Sequence, residues 1–224
     1  MVLGYLFSYI YVFIILLIAA VAEKKQLLGQ EGRRKLVHIL LVFTWLIMLK
    51  YLKGTIHMIV IPLSFVILNL LSYLKAKKDD GSNIPILSGM ERKGVEETPG
   101  TVYYALSIMI MGGFSLLNEE WVIPCGMGLF CMAFGDGMAG IVGKHVSGIF
   151  ANRITSEKSL GGSIACFVFS ILGCVLLLMF TKQEIVLLKM FIMGVTCMLL
   201  ELPGKGIDNL TVPFGCMTMA ILLL

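Results

Sequence analysis

The chain has 224 residues, 58% of them apolar and only 14% charged, against roughly 25% charged in an ordinary soluble domain. That composition argues against a soluble globule, and the apolar residues fall in runs of about 17 to 23, long enough to cross a hydrocarbon core of roughly 30 Å. The formal net charge is only +4 and the 18 Lys and Arg gather in short loops, so the bilayer is the expected surroundings and nucleic acid is not an expected partner.

In chain order, the first apolar run extends from Leu3 to Ala22. It has neither a basic segment before it nor a small-residue cleavage site ahead of Glu23-Lys24-Lys25, so it reads as a retained span, not a removed leader. Further spans are expected at Leu36 to Leu49, Thr55 to Leu74, Thr101 to Leu117, Trp121 to Val142, Leu160 to Phe180, Ile185 to Leu200 and Leu210 to the end. The last is little more than half a helix, so the expectation is an all-α integral membrane protein. It is a polytopic bundle of about seven to eight transmembrane helices, one membrane domain over residues 1–224.

The basic residues orient this bundle. Lys24, Lys25 and Arg33 to Lys35 follow the first span, Lys75 to Lys93 the third, Lys144, Arg153 and Lys158 the fifth, and Lys205 the seventh. The opposite loops hold only Lys50, Lys53, Lys182 and Lys189. The excess of Lys and Arg marks the cytosolic side, which places the N-terminus outside, in the plasma membrane if the cell is prokaryotic. Glu96, Glu97, Asp136, Lys158, Glu201 and Asp208 fall on that same side, which implies a cytosolic active face. A transporter would place ionisable groups near the midplane of an internal repeat.

Four constellations carry candidate chemistry. In Glu31-Gly32-Arg33-Arg34-Lys35-Leu36-Val37-His38, Arg34, Lys35 and His38 share a helix face and can grip a polyphosphate at the membrane surface, or simply anchor anionic lipid. In Gly135-Asp136-Gly137, a carboxylate lies about 10 Å below the cytosolic end of its span, at about 1.5 Å of rise per residue. A charge there needs a cation, a metal or a water-filled cavity. The flanking glycines suit close helix packing, and the triplet can also loosen the helix. In Lys158-Ser159-Leu160-Gly161-Gly162-Ser163, a helix start can cradle an anion or be a plain N-cap by Ser159, without the spacing of a P-loop. Two helix starts, Glu96-Glu97-Thr98-Pro99-Gly100 and Glu201 to Asn209, add carboxylates that suit Mg²⁺ held together with substrate phosphates. The six cysteines lie inside apolar runs with no CxxC spacing and read as packing residues.

Taken in order, Arg33 to His38, Thr98 to Tyr104, Gly135 to Ala139 with Gly143, Lys158 to Ser163, and Glu201 with Asp208 to Pro213 resemble the motifs of the polyprenol kinase family. That family comprises the dolichol, phytol and CTP-dependent diacylglycerol kinases, with the phosphatidate cytidylyltransferases as distant relatives. The resemblance runs from about residue 31 to residue 214. It implies a Mg²⁺-dependent kinase that moves the γ-phosphate of CTP, or of another nucleoside triphosphate, to a membrane alcohol whose tail lies against Met- and Leu-rich helices. It also implies that Arg34, Lys35, Asp136 and Gly143 matter for activity. On this basis Arg34, Lys35 and Lys158 meet phosphates, and Asp136 either holds Mg²⁺ or takes the proton of the hydroxyl. Glu201 and Asp208 are further metal ligands, and Arg33, His38, Thr98, Gly100, Gly137, Gly143, Ser159 and Gly162 line the nucleotide. Many members have a Glu where this chain has Gly161, a departure shared with phytol-kinase-like members. A cytidylyltransferase or a transporter using the same buried Asp are the alternatives.

Overall fold

The computed structural model describes residues 1–27, 29–78, 100–155, 158–203 and 207–224, and all the elements in them are helical apart from one isolated bridge between Arg153 and Ser159. The helices are α1 (Val2–Lys24), α2 (Gln30–Leu41), α3 (Thr44–Leu52), α4 (His57–Lys78), α5 (Gly100–Leu117), α6 (Val122–Phe130), α7 (Gly137–Gly143), α8 (Leu160–Thr181), α9 (Leu187–Glu201) and α10 (Asp208–Leu223). Among the described residues, five stretches are long and apolar enough to cross a membrane: Val2–Lys24, Gln30–Leu52, Gly100–Leu117, Glu119–Gly143 and Leu160–Thr181. His57–Leu71 and Asp208–Leu223 are shorter apolar helices. Each of the eight expected spans therefore meets helix among the described residues. By contact the chain divides into two compact units, Met1–Leu116 and Leu117–Leu224.

One boundary moved for a physical reason. The apolar window opens the second span at Leu36, yet α2 begins at Gln30 and takes in Arg33, Arg34 and Lys35. Hydropathy stops at the first charge, but Arg and Lys are good helix formers, and an ion pair from Arg34 to Glu31 one turn back supports the helix start.

In the first unit, α1 buries Val12, Ile15, Leu16 and Ala19, the spacing of one helix face, in a cluster with Val37. Its other sides expose Leu6, Ile10, Phe13, Ile14, Leu17 and Ile18, a surface that suits lipid. Between α3 and α4 the chain turns at Gly54, whose φ of +74° favours glycine. In α4, Pro62 cannot donate to the carbonyl of Met58 four residues back. α5 closes on that carbonyl, since a Cβ added to Gly112 would lie 2.4 Å from Met58 O.

In the second unit, Asn118 caps a short 3₁₀ turn by accepting from Glu120 N at 2.9 Å. The chain then runs through α6, a π-helical turn over Cys131–Asp136, and α7 without a break. This is the most buried of the five long stretches. It packs against α8 and α10, and at Gly128 an added Cβ would come within 2.3 Å of Pro213 O.

Candidate functional site

The site in the second unit starts from the π turn. The Gly-Asp-Gly triplet was expected to loosen its helix, and the backbone does widen there, over six residues that end on Asp136. Such turns recur at functional positions because they disturb the regular hydrogen-bond ladder. Asp136 is 2% exposed, a depth at which a carboxylate requires a positive partner.

That positive charge comes from a hairpin-like loop. Ile154 N and Thr155 N donate to Lys158 O at 2.9 and 3.4 Å, Leu160 N donates to Asn152 O at 2.8 Å, and Lys158 N donates to Thr155 Oγ1 at 3.2 Å. The loop backbone thus holds Lys158 just before α8. Its Nζ donates to Glu201 Oε1 and lies 3.8 Å from Asp208 Oδ2. Glu201 closes α9 at 1% exposure, and Asp208 opens α10, where the helix dipole favours an acid. Burial pulls the Lys158 pKa down, but the charges of Glu201, Asp136 and Asp208 outweigh it and hold the ammonium above its ordinary value of 10.5. Lys158 therefore stays charged at neutral pH. Carboxylates brought together in this way offer the oxygen ligands that suit a divalent cation.

Lys158, expected to meet phosphate, is engaged with carboxylates in this ligand-free arrangement. Ser159 is the N-cap of α8: its Oγ accepts from Gly162 N at 3.2 Å and contacts Gly143 O at 3.3 Å. The Gly162 N–H that a phosphate cradle would use is thus taken. A Cβ at Gly143 would lie 3.4 Å from Gly162 Cα, and one at Gly162 would lie 3.1 Å from Ala139 O. These two glycines let α7 and α8 meet closely, the packing reading of the motif. At Gly161 an added Cβ would be 2.8 Å from Val146 Cγ1 and 3.2 Å from Phe150 Cβ, so the loop after α7 fills the space that a larger side chain would need. Gly137 is the buried first residue of α7. Gly100 opens α5; Thr98, with Glu96 and Glu97, lies outside the described residues.

In the first unit, Arg33 and Arg34 are partly buried, whereas Lys35 and His38 are 5% and 1% exposed. The His38 ring stacks on Tyr104 with centroids 4.4 Å apart, and the Tyr104 hydroxyl donates to His38 O at 2.7 Å. Lys35 and His38, three residues apart, are therefore turned into the unit, while Arg34 pairs with Glu31.

Compared with known proteins, the chain is 36% identical over 145 residues to the phytol kinase of Synechocystis sp., a match covering 61% of this chain and 59% of that relative. Over that stretch the chain is similar to a phytol kinase, in line with the motif resemblance. It spans less than two thirds of the curated relative's length. No family model matches the chain, and no solved structure matches it.

Two features of the structure had no signal in the sequence. Tyr104 stood inside a quoted motif, but nothing in the string showed that its ring backs His38. The cysteines are separated by up to dozens of residues, yet Cys131, Cys197 and Cys216 bring their sulfurs within 4.8 Å of one another. Cys131 and Cys174 lie 3.3 Å apart, sulfur to sulfur, and Cys166 and Cys197 3.6 Å. The expected packing role fits their complete burial. Their convergence had no local signal, because it is produced by helices far apart in sequence.

Proposed function

We propose that this chain is a membrane-embedded lipid kinase that transfers the γ-phosphate of CTP to the hydroxyl of a single-chain membrane alcohol of the phytol type. The relative's name supports kinase chemistry on a prenol, and the family's motifs support CTP as donor. On this chain, the reading is carried by one observation: Glu201 and Asp208 meet the Lys158 ammonium, and the charge of the buried Asp136 acts on it as well.

Phosphoryl transfer needs positioning and charge neutralisation more than covalent catalysis. Bound Mg²⁺ would supply neutralisation of phosphate charge, with Asp136, Glu201 and Asp208 as its holders. Lys158 fixes the Glu201 carboxylate by a direct hydrogen bond and adds a positive charge that never leaves at neutral pH. Asp136 serves either as a cation ligand or as acceptor of the hydroxyl proton, and its ionised form is needed in both roles. For Arg34 and Lys35, with Arg33 and His38 beside them, a role toward phosphate rests on the family resemblance alone.

The test uses purified protein in lipid nanodiscs with Mg²⁺, a phytol-like prenol and CTP labelled at the α- or the γ-phosphorus. Label reaching the lipid from the γ position alone is the expected result. Label from the α position means a cytidylyltransferase, and label from neither removes the proposal in favour of a transport or binding role.

A further inference from the structure

Five of the six cysteines converge in the second unit, although four separate elements supply them. Cys131 opens the π turn, Cys166 and Cys174 lie on α8, Cys197 on α9 and Cys216 on α10. All are buried, in apolar segments where a lone thiol is an ordinary packing group. The sulfurs are closer together than packing alone requires. Those of Cys131, Cys197 and Cys216 all lie within 4.8 Å of one another, and among the described residues no fourth His, Cys, Asp or Glu joins them at that range. Beside the three, Cys174 meets Cys131 at 3.3 Å and Cys166 meets Cys197 at 3.6 Å, sulfur to sulfur. Three sulfurs at about 2.3 Å from one ion stand about 4 Å apart in a trigonal plane, so this trio is already near the separation that an ion needs.

The donor set selects the ion. Cysteine sulfur favours soft metals, which narrows the choice to Cu(I), Zn²⁺ and iron–sulfur clusters. Structural zinc takes four ligands in a tetrahedron and iron–sulfur clusters take four cysteines. Three convergent sulfurs suit the trigonal coordination that Cu(I) accepts. When Cu(I) displaces one thiol proton to solvent, one thiolate and two thiols surround a monovalent cation, and the buried site carries no net charge.

The position of the trio links it to the carboxylates. Cys131 and Asp136 are the first and last residues of the π turn. A Cβ added to Gly135 would lie 2.7 Å from Cys197 Sγ and 3.2 Å from Cys166 Sγ, so these sulfurs pack against the backbone next to Asp136. Cys197 precedes Glu201 by about one turn of α9, and Cys216 follows Asp208 by about two turns of α10. An ion held by the trio therefore ties together the three elements that carry Asp136, Glu201 and Asp208.

We propose that Cys131, Cys197 and Cys216 form a buried trigonal binding site for one Cu(I) ion, which pins the π turn to α9 and α10. This site does not depend on the kinase reading above.

The test uses the whole protein in detergent, kept reduced with a phosphine, and supplies copper in two ways. It is added to the growing cells, and as Cu(I) to the purified protein in competition with bicinchoninate. One copper per chain is expected, with X-ray absorption showing three sulfurs at about 2.3 Å and a melting temperature above that of the copper-free protein. Cys216→Ala should lower the apparent Cu(I) affinity about a hundredfold or more, since changes outside the ligand shell alone cost about 10–100-fold. Cys125→Ala removes a thiol that contacts Met217 and is not one of the three, so it should leave the affinity unchanged. Melting of the copper-free variants reports whether each folds; if Cys216→Ala does not, stoichiometry and X-ray absorption of the parent decide. No copper retained by either route, oxygen or nitrogen in place of sulfur around the ion, Zn²⁺ held as firmly as Cu(I), or unchanged affinity in a folded Cys216→Ala would each overturn the proposal. None of these readouts involves phosphoryl transfer, so failure of the copper site is distinct from failure of the proposed reaction.

Discussion

Among single residues, Lys158 and Glu201 are the pair whose removal the structure makes most informative. Glu201 is 1% exposed and its Oε1 accepts from Lys158. Lys158→Met leaves a buried carboxylate facing two others, and breaking a buried pair from one side costs about 3–5 kcal/mol. Because the Lys158 side chain is 16% exposed, the loss should be nearer 1–3 kcal/mol. Adding Glu201→Gln should recover part of it, and thermal unfolding of the singles and the double in detergent measures the coupling. The Lys158 pKa is raised on folding, so its contribution is complete below 10.5 and disappears only as pH climbs past that value through the folded pKa. Melting temperature should therefore show no loss from this pair between pH 7 and 9, and the alkaline drop should be smaller in Lys158→Met. Asp136→Asn is a different case. Lys158 keeps its bond to Glu201, so the variant should fold and extract like the parent, yet lose about two powers of ten or more in phosphoryl transfer. Near-parental activity would take Asp136 out of the site.

At the level of elements, two helices are shaped by residues that helix propensity disfavours. Pro62 leaves the Met58 carbonyl without its helical donor and α5 covers it at Gly112; the Cys131–Asp136 turn widens where Asp136 must meet the charges around Lys158. Gly112→Ala would set a Cβ 2.4 Å from backbone, which cannot rotate aside as a flexible side chain would. Overpacking of this kind costs about 1–3 kcal/mol, and the melting temperature in detergent should fall accordingly. Gly113→Ala is the control, since its added Cβ would meet only Ile59 Cδ1 at 3.8 Å.

For the whole molecule, the testable matter is orientation. The bias of Lys and Arg toward alternate loops predicts that Arg33 faces the cytosol and the N-terminus faces out. The six native cysteines are all buried, so Arg33→Cys and Val2→Cys can be read against a quiet background. In intact cells an impermeant maleimide should label position 2 and spare position 33, and the reverse pattern would invert the topology.

The apolar runs alone determined that the chain is helical, with helices long and apolar enough to cross a bilayer, because a backbone without water must close its own hydrogen bonds and a helix does so within one segment. The motif residues Asp136, Lys158, Glu201 and Asp208 were also legible, since charges beside or inside spans stand out in any composition window. Their joint arrangement was not. That Lys158 meets Glu201 depends on α8 and α9 packing side by side, and no spacing rule links residues 43 apart. For Ser159 and Gly162 the sequence left a phosphate cradle and a plain N-cap open, and Gly143 was marked only by the resemblance. Only the meeting of α7 and α8 decided that Ser159 caps its helix and that the glycines admit the neighbouring backbone.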